Sequence, residues 1–420
     1  MPREAVLITP FDSALKLGEQ IADACERLGV HARLVAPTTV VAHGLTPTLV
    51  TATTSRPIEY LEWDELVRVA READIVVPLL LGPRVHQLFR ELHDVASTTP
   101  FPVLGAGYVG MVLNDETRGY LARSLADVIA VNSRTDLATF TAASAALGLP
   151  TDNLLLTGQP LLPAFDARPR TGPVRRVLLA DQPSVPSASI ERVTLYERLA
   201  AYARAHPDRE VAIRPRMRRT DRSFHRMGYS PEDFLKNADL PTNLTIDFTP
   251  FVEQTAYTDL VVSLSSTAIL EALAAGCRAA FISDFYGETY LNHKFARSGL
   301  LRTIEQLIAD DIGTPDPEWL ADVFPSGAHA PADLFARAMV EMIDAPARPH
   351  DAQWRHPYQQ QRVAQARDAP ALRATYLPGT RDRRASRAER ALTTVLRPLP
   401  APARGRVMGA VRRTSRWLRS

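Results

Sequence analysis

The chain alternates short apolar runs with stretches in which apolar residues recur every three or four positions. The first pattern predicts buried strands and the second amphipathic helices. Ala5–Pro10 reads as a strand and Ala14–Leu28 as a helix, with Asp12 or Ser13 as its cap and Gly29 just past its end. Val30–Ala36 is the next strand. Pro57–Trp63, Glu65–Ala73, Asp74–Leu81, Arg84–Ala96 and Phe101–Gly105 continue as strand, helix, strand, helix and strand. Thr117–Ala126 and Ser133–Leu147 read as helices, with Val128–Asn132 and Leu154–Thr157 as strands. The pattern then restarts with strand Arg176–Ala180, helix Ser189–Ala205 and strands Glu210–Ile213 and Asn243–Asp247. A short helix, Phe251–Tyr257, leads into strand Leu260–Leu264, and Ala279–Ile282 is a further strand. Strands alternating with helices predict parallel, doubly wound sheets.

A chain of 420 residues suits two such domains of about 150–200 residues, each with its own core. The predicted division is 1–162 for the first domain, 163–174 for a Pro- and Arg-rich linker and 175–345 for the second. Closing helices over 346–379 and a tail over 380–420 follow. No run approaches the roughly 20 apolar residues of a membrane span. Met1-Pro-Arg-Glu4 runs at once into an apolar strand, unlike a secretion signal. Cys25 and Cys277 are far apart in apolar helical surroundings, which predicts buried thiols in a reducing compartment. The expected location is the cytoplasm.

The net charge of +2 hides an asymmetry. Residues 381–420 hold twelve arginines against Asp382 and Glu389, so this segment carries +10 and the rest −8. The body therefore lacks the basic stripe that nucleic-acid binding requires, and no nucleic-acid partner is expected. Within the tail, Val407, Met408, Val411 and Leu418 share a helical face beside Trp417. That pattern suits a helix lying on an anionic membrane surface, and equally a solvated basic tail.

The most informative segment is Asp259–Gly276: an apolar strand, the turn Ser265-Ser266-Thr267, and a helix ending at Gly276. Hydroxyls and free N–H groups at a helix start, with its positive dipole end, form an anion site. Glu271, one turn on, stands where a carboxylate accepts bonds from a ribose diol. The same hydroxyls also serve as plain helix caps.

The run Ser265-Ser-Thr-Ala-Ile-Leu-Glu-Ala-Leu-Ala-Ala-Gly276 resembles the donor-binding segment of GT-B glycosyltransferases. The Ser-Ser-Thr turn is also similar to the donor element of polysialyltransferases and teichoic-acid glycerophosphate polymerases. Ala126–Ser133 and Leu147–Pro160, the latter ending in Gly158-Gln-Pro160, resemble the close of a GT-B first domain. Across most of its length the chain resembles a little-characterised bacterial family described as glycosyltransferases. The resemblance implies an α/β GT-B fold, two Rossmann-like doubly wound domains around a cleft. It also implies a nucleotide-sugar donor as co-substrate without a further cofactor. Phosphates would sit at Ser265, Ser266 and Thr267, and the ribose at Glu271.

Residues at strand ends facing that cleft acquire candidate roles. Arg214 and Arg216, with Arg218 and Arg219 beyond, suit phosphate recognition or form a basic solvated loop. The polysialyltransferase-like enzymes it resembles place a His-Pro pair after this strand; here His206-Pro207 precedes it, which favours an arginine clamp, and His225 reads as incidental. Asp181-Gln182-Pro183 offers donor or acceptor contacts, or is a solvated turn. In Asp284-Phe-Tyr-Gly-Glu288, Phe285 or Tyr286 would stack on a base, and Asp284 or Glu288 would bind sugar hydroxyls; core packing and a surface turn is the other reading. The catalytic base should come from the first domain: Asp12 first, then Asp115 and Glu116. No Asp-x-Asp metal motif is visible, and a helix dipole with arginines can neutralise a leaving diphosphate. The function expected is transfer of a sugar to a cell-surface glycan or lipid-linked precursor, at the inner face of the plasma membrane. A nucleotide-sugar epimerase and a non-catalytic binding module are the alternatives.

Overall fold

The computed structural model describes residues 2–38, 45, 50–51, 53–93, 101–111, 116–165, 169–183, 185–216, 218, 229–237, 239–285, 293–345 and 357–368. The first sheet contains β1 (Glu4–Ile8), β2 (His31–Pro37), β3 (Ile58–Leu61), β4 (Ile75–Pro78), β5 (Val103–Ala106), β6 (Val128–Val131) and β7 (Leu154–Leu156). Its order is β3-β2-β1-β4-β5-β6-β7, and every pairing is parallel. The second sheet, from β8 (Arg176–Ala180), β9 (Glu210–Arg214), β10 (Leu244–Ile246), β11 (Leu260–Ser263), β12 (Arg278–Ile282) and β13 (Leu301–Arg302), has the order β10-β9-β8-β11-β12-β13. It too is wholly parallel. Strand direction of winding reverses between β1 and β4 and between β8 and β11, so each domain has one switch point. Continuous apolar strands such as Val177–Ala180 are buried on both faces, which is why they show no alternation.

Helices α1 (Asp12–Arg27), α2 (Trp63–Glu72), α3 (Gly82–His93), α4 (Glu116–Leu121) and α5 (Arg134–Leu147) cover the first sheet. Helices α6 (Ser189–Ala205), α7 (Pro231–Asn237), α8 (Phe251–Thr255), α9 (Ala268–Ala274), α10 (Ile304–Ile308) and α11 (Pro317–Val323) belong with the second. Helices α12 (Pro331–Ile343) and α13 (Pro357–Asp368) follow. Four apolar clusters result, two flanking each sheet. Ser133 caps α5 as its sequence suggests, accepting from the N–H of Asp136 at 3.0 Å.

The chain returns to the first domain earlier than its sequence suggests. Phe335, Ala336 and Met339 of α12 are buried in the cluster formed by α1 and the first sheet. A Cβ on Gly105 of β5 would stand 2.3 Å from the sulfur of Met339 and 3.1 Å from Phe335 and Val77, so glycine there gives α12 room to dock closely. Val363 and Ala366 of α13 then join the opposite cluster of that domain. The linker is also anchored: the guanidinium of Arg170 donates to the carbonyls of Thr255, Ala256 and Thr258 at the end of α8. Side-chain contacts also tie the two domains together. Lys294 pairs with Asp136 in buried surroundings, and Asp322 accepts from the N–H and hydroxyl of Thr135 at 2.8 and 2.9 Å.

Candidate functional site

The site grows from the two switch points. At the end of β1 the chain turns directly into α1, whose N-cap is Phe11 with no side-chain cap bond. Asp12 and Ser13 thus do not cap the helix as expected. Gly18 lets α1 settle over this strand end, because a Cβ there would lie 2.5 Å from the methyl of Thr9. The packing presents Asp12 and, one turn on, Lys16 towards the second domain.

At the end of β8, Gln182 organises the hydroxyl turn. Its side-chain oxygen accepts from the N–H of Ser265 at 2.9 Å and the Ser265 hydroxyl at 3.3 Å. Ser263 is held in turn by its hydroxyl donating to the carbonyl of Ala180 at 2.7 Å. Ser265 is therefore buried and committed, and Gln182 shapes the turn from beneath. The hydroxyl of Ser266 accepts from the N–H of Ala268 at 3.2 Å, the capping bond. Thr267 occupies the N-cap with no side-chain cap bond. Among the described residues no acceptor meets the N–H groups of Ser266 and Thr267. Gly110, from the loop after β5 of the first domain, faces Thr267: a Cβ there would be 3.9 Å from its methyl. Asn132 holds that loop by donating to the carbonyl of Gly110 at 3.1 Å.

Arg216 spans the cleft. Its Nη2 donates to both Asp12 oxygens at 2.8 and 2.7 Å, and Nε donates to one at 3.2 Å. Burial works against the Asp12 charge, yet Arg216, the Ser13 N–H and Lys16 together hold the carboxyl below its ordinary range. Lys16, Arg214 and Glu271 complete the group in a different way. Among the described residues none of the three forms an ion pair, although each feels the others' fields. Burial raises the Glu271 carboxyl, with Lys16, Arg214 and Arg216 pulling the other way. Partial loss of water and the facing Arg214 and Arg216 lower the Lys16 ammonium, although the residue keeps an exposed surface. Burial likewise disfavours the Arg214 charge, and its Nε is a buried donor without an acceptor. Sequence reasoning missed Lys16, which there is one charge among many on an amphipathic helix.

Other candidates are placed elsewhere. Asp181 is fully buried in an ion pair with Arg192 at 2.7 Å, so it is neither a solvated turn nor a ligand contact. Burial pushes its carboxyl up to about 6. Asp284 pairs with Arg198 and accepts the N–H of Ile304 at 3.0 Å, which ties β12 to α6 and α10. Its side chain is 3% exposed, so it is spent on the fold rather than offered to a sugar. Phe285 packs on the adjacent apolar cluster, which leaves base stacking without support. Arg218 lies over the ring of Phe248 at 4.0 Å. His206 bonds the carbonyl of Ile308 at 3.0 Å, a structural role. Glu116 opens α4, but its side chain lies outside the described residues, as do Asp115, Arg219, His225, Tyr286, Glu288 and residues 381–420. Both cysteines are free and buried, as expected.

Two doubly wound parallel domains, with the hydroxyl turn and strand-end charges meeting between them, define the GT-B class of nucleotide-sugar enzymes. The model of the family described as "Putative glycosyltransferase (DUF6716)" matches residues 5–341, and the chain belongs to that family. No curated protein matches it significantly. Among solved structures it is similar to a "putative UDP-N-acetylglucosamine 2-epimerase" from Listeria monocytogenes, at 12% identity and a TM-score of 0.53, covering 83% of this chain and 99% of that one. It is also similar to the UDP-GlcNAc 2-epimerase of Methanocaldococcus jannaschii, at 11% identity, TM-score 0.52, covering 81% and 100%. Spinosyn rhamnosyltransferase SpnG aligns at 14% identity and a TM-score of 0.47, covering 82% and 99%. The likenesses to the two epimerase structures show the fold. Among the described residues no helix is long and apolar enough to cross a membrane.

Proposed function

We propose that this glycosyltransferase takes a nucleotide-sugar donor at the Ser265–Thr267 turn and passes the sugar to a hydroxyl of a cell-surface glycan or lipid-linked acceptor. The observation that carries the reading is the set of charges at Lys16, Arg214 and Glu271, which among the described residues form no ion pair. Lys16 is exposed to the cleft while Arg214 and Glu271 are half-buried, and half-buried charges held by no direct ion pair favour a ligand that supplies the counter-charge. The N–H groups of Ser266 and Thr267, with Arg214, receive the donor phosphates. Lys16 reaches the same charge from the first domain. Glu271 accepts from the ribose diol. Arg216 follows the charge that grows on the leaving phosphate. Asp12 withdraws the proton of the acceptor hydroxyl as the sugar is transferred.

A thermal-shift panel of UDP, CMP, GDP, CDP and TDP tests the donor site, since a ligand of the native state raises the melting temperature. One nucleotide should raise it in wild type, and Ser266→Ala should reduce that rise. No shift with any of the five contradicts the reading.

The fold is shared with epimerases, which free the nucleotide with no external acceptor. Release of nucleotide from donor alone, as fast as with acceptor present, would favour that reaction. The arginine-rich residues 381–420 are proposed to hold the enzyme on anionic membrane from the cytoplasmic side. Cosedimentation with phosphatidylglycerol vesicles should fade as salt rises and the Debye length falls from ~10 Å at 0.1 M to ~3 Å at 1 M. Full-length protein that ignores such vesicles at low salt removes the membrane from this account.

A further inference from the structure

We infer that the ion pair between Asp12 and Arg216 is a donor-operated latch, in which the donor's phosphate takes Arg216 and thereby frees Asp12 for the acceptor. The inference rests on the donor-site reading above and adds an order of events to it. Three features of the pair support exchange. First, it joins the two domains directly, from the first turn of α1 to the second residue beyond β9. Second, Arg216 occupies both oxygens of Asp12. A carboxylate so engaged has its charge neutralised and is a weaker base for a hydroxyl proton, and among the described residues the guanidinium has only Nη1 left wholly free for phosphate. Each group therefore weakens the other's proposed role in the ligand-free chain.

Third, the pair is open to solvent, with side chains 32% and 24% exposed. The Asp181–Arg192 pair has no exposure at all, and Lys294–Asp136 only 10% and 4%. Those two are built to stay closed, whereas the latch can exchange partners. Lys16 and Arg214 stand beside it without an ion pair among the described residues, so a phosphate has cations to meet before it competes for Arg216. A phosphate group offers more charge and more acceptor oxygens than a carboxylate, and it matches the guanidinium fork equally well. No bond to carbon is made or broken in the hand-over. One hydrogen-bonded anion replaces another on Arg216, and Asp12 regains its strength as a base. Donor binding then favours deprotonation of the acceptor.

The test is calorimetric titration of the full chain with UDP, CMP, GDP, CDP and TDP. In Asp12→Asn the arginine no longer has to leave a carboxylate, so the nucleotide that binds wild type should bind about two- to fivefold tighter. Arg216→Gln should bind it roughly tenfold more weakly. Simple removal of negative charge would also tighten binding, and the double variant separates the two causes. With Arg216 already replaced, Asp12→Asn should bring no further gain if the latch exists. Asp12→Ser, with the same expectations, serves if Asp12→Asn does not fold. Equal affinity in wild type and Asp12→Asn overturns the latch and leaves the donor site standing, as does an undiminished gain in the double variant. Failure of every nucleotide to bind wild type brings down the donor site, and the latch with it.

Discussion

Asp284 and Glu271 are acidic residues at the same edge of the second domain, and the fold uses them in opposite ways. Asp284 follows β12, meets Arg198 and accepts the N–H that opens α10. Glu271 stands one turn into α9 with Lys16, Arg214 and Arg216 around it and, among the described residues, no ion pair. The same contrast divides the arginines. Arg192 is buried against Asp181, Tyr196 and the carbonyls of Gln182 and Tyr229, whereas Arg214 has no ion pair among the described residues. Charges that hold the second domain together are paired within it; among the described residues Lys16, Arg214 and Glu271 form no ion pair, and Asp12 and Arg216 pair with each other across the cleft. Position at a strand end identifies both kinds; a partner inside the same domain separates them.

The largest effect expected lies on the paired side. Arg192→Met leaves Asp181 buried and uncompensated, at a cost of about 3–5 kcal/mol. The melting temperature should fall by several degrees or more, and any remaining folded protein should bind nucleotide normally. A variant of wild-type stability would break the comparison at its strongest point. On the unpaired side, Arg214→Gln should weaken nucleotide binding by about 1.5–3 kcal/mol, the worth of bonds to charged groups. Its stability should be unchanged or raised, because a desolvated charge is removed. Calorimetry and melting curves on one sample decide this. A drop in stability without a drop in affinity places Arg214 with the structural arginines.

Arg216→Lys keeps the charge and loses the planar fork, so turnover should fall more than nucleotide affinity. Equal losses in both would place Arg216 in ground-state binding alone. The smallest effect concerns the thiols. Burial pushes the Cys25 thiol up to about 12 and raises Cys277 as well. Thiolate is the reactive form, so a thiol reagent at pH 8 should label neither in the folded chain and both in denaturant.

Much of this arrangement was legible in the sequence, because strands buried on both faces leave continuous apolar runs and amphipathic helices a local period. The hydroxyl turn and Glu271 were legible for the same reason: strand, turn and helix follow one another directly. Partners distant along the chain were not. Asp284 looked available because Arg198 lies 86 residues away, and Asp12 looked like a cap because Arg216 lies 204 residues away. The early return of α12 to the first domain was hidden too, since an amphipathic helix does not reveal which of two apolar surfaces it covers.

The most direct test sets Glu271→Ala beside Asp284→Ala, with nucleotide affinity and melting temperature measured for both. Glu271→Ala should lose about 1–3 kcal/mol of nucleotide binding and melt like wild type. Asp284→Ala should melt lower, because Arg198 and the α10 N–H lose their acceptor, and bind nucleotide normally while folded. Unchanged affinity in Glu271→Ala, or the loss of affinity falling on Asp284→Ala instead, would contradict the account.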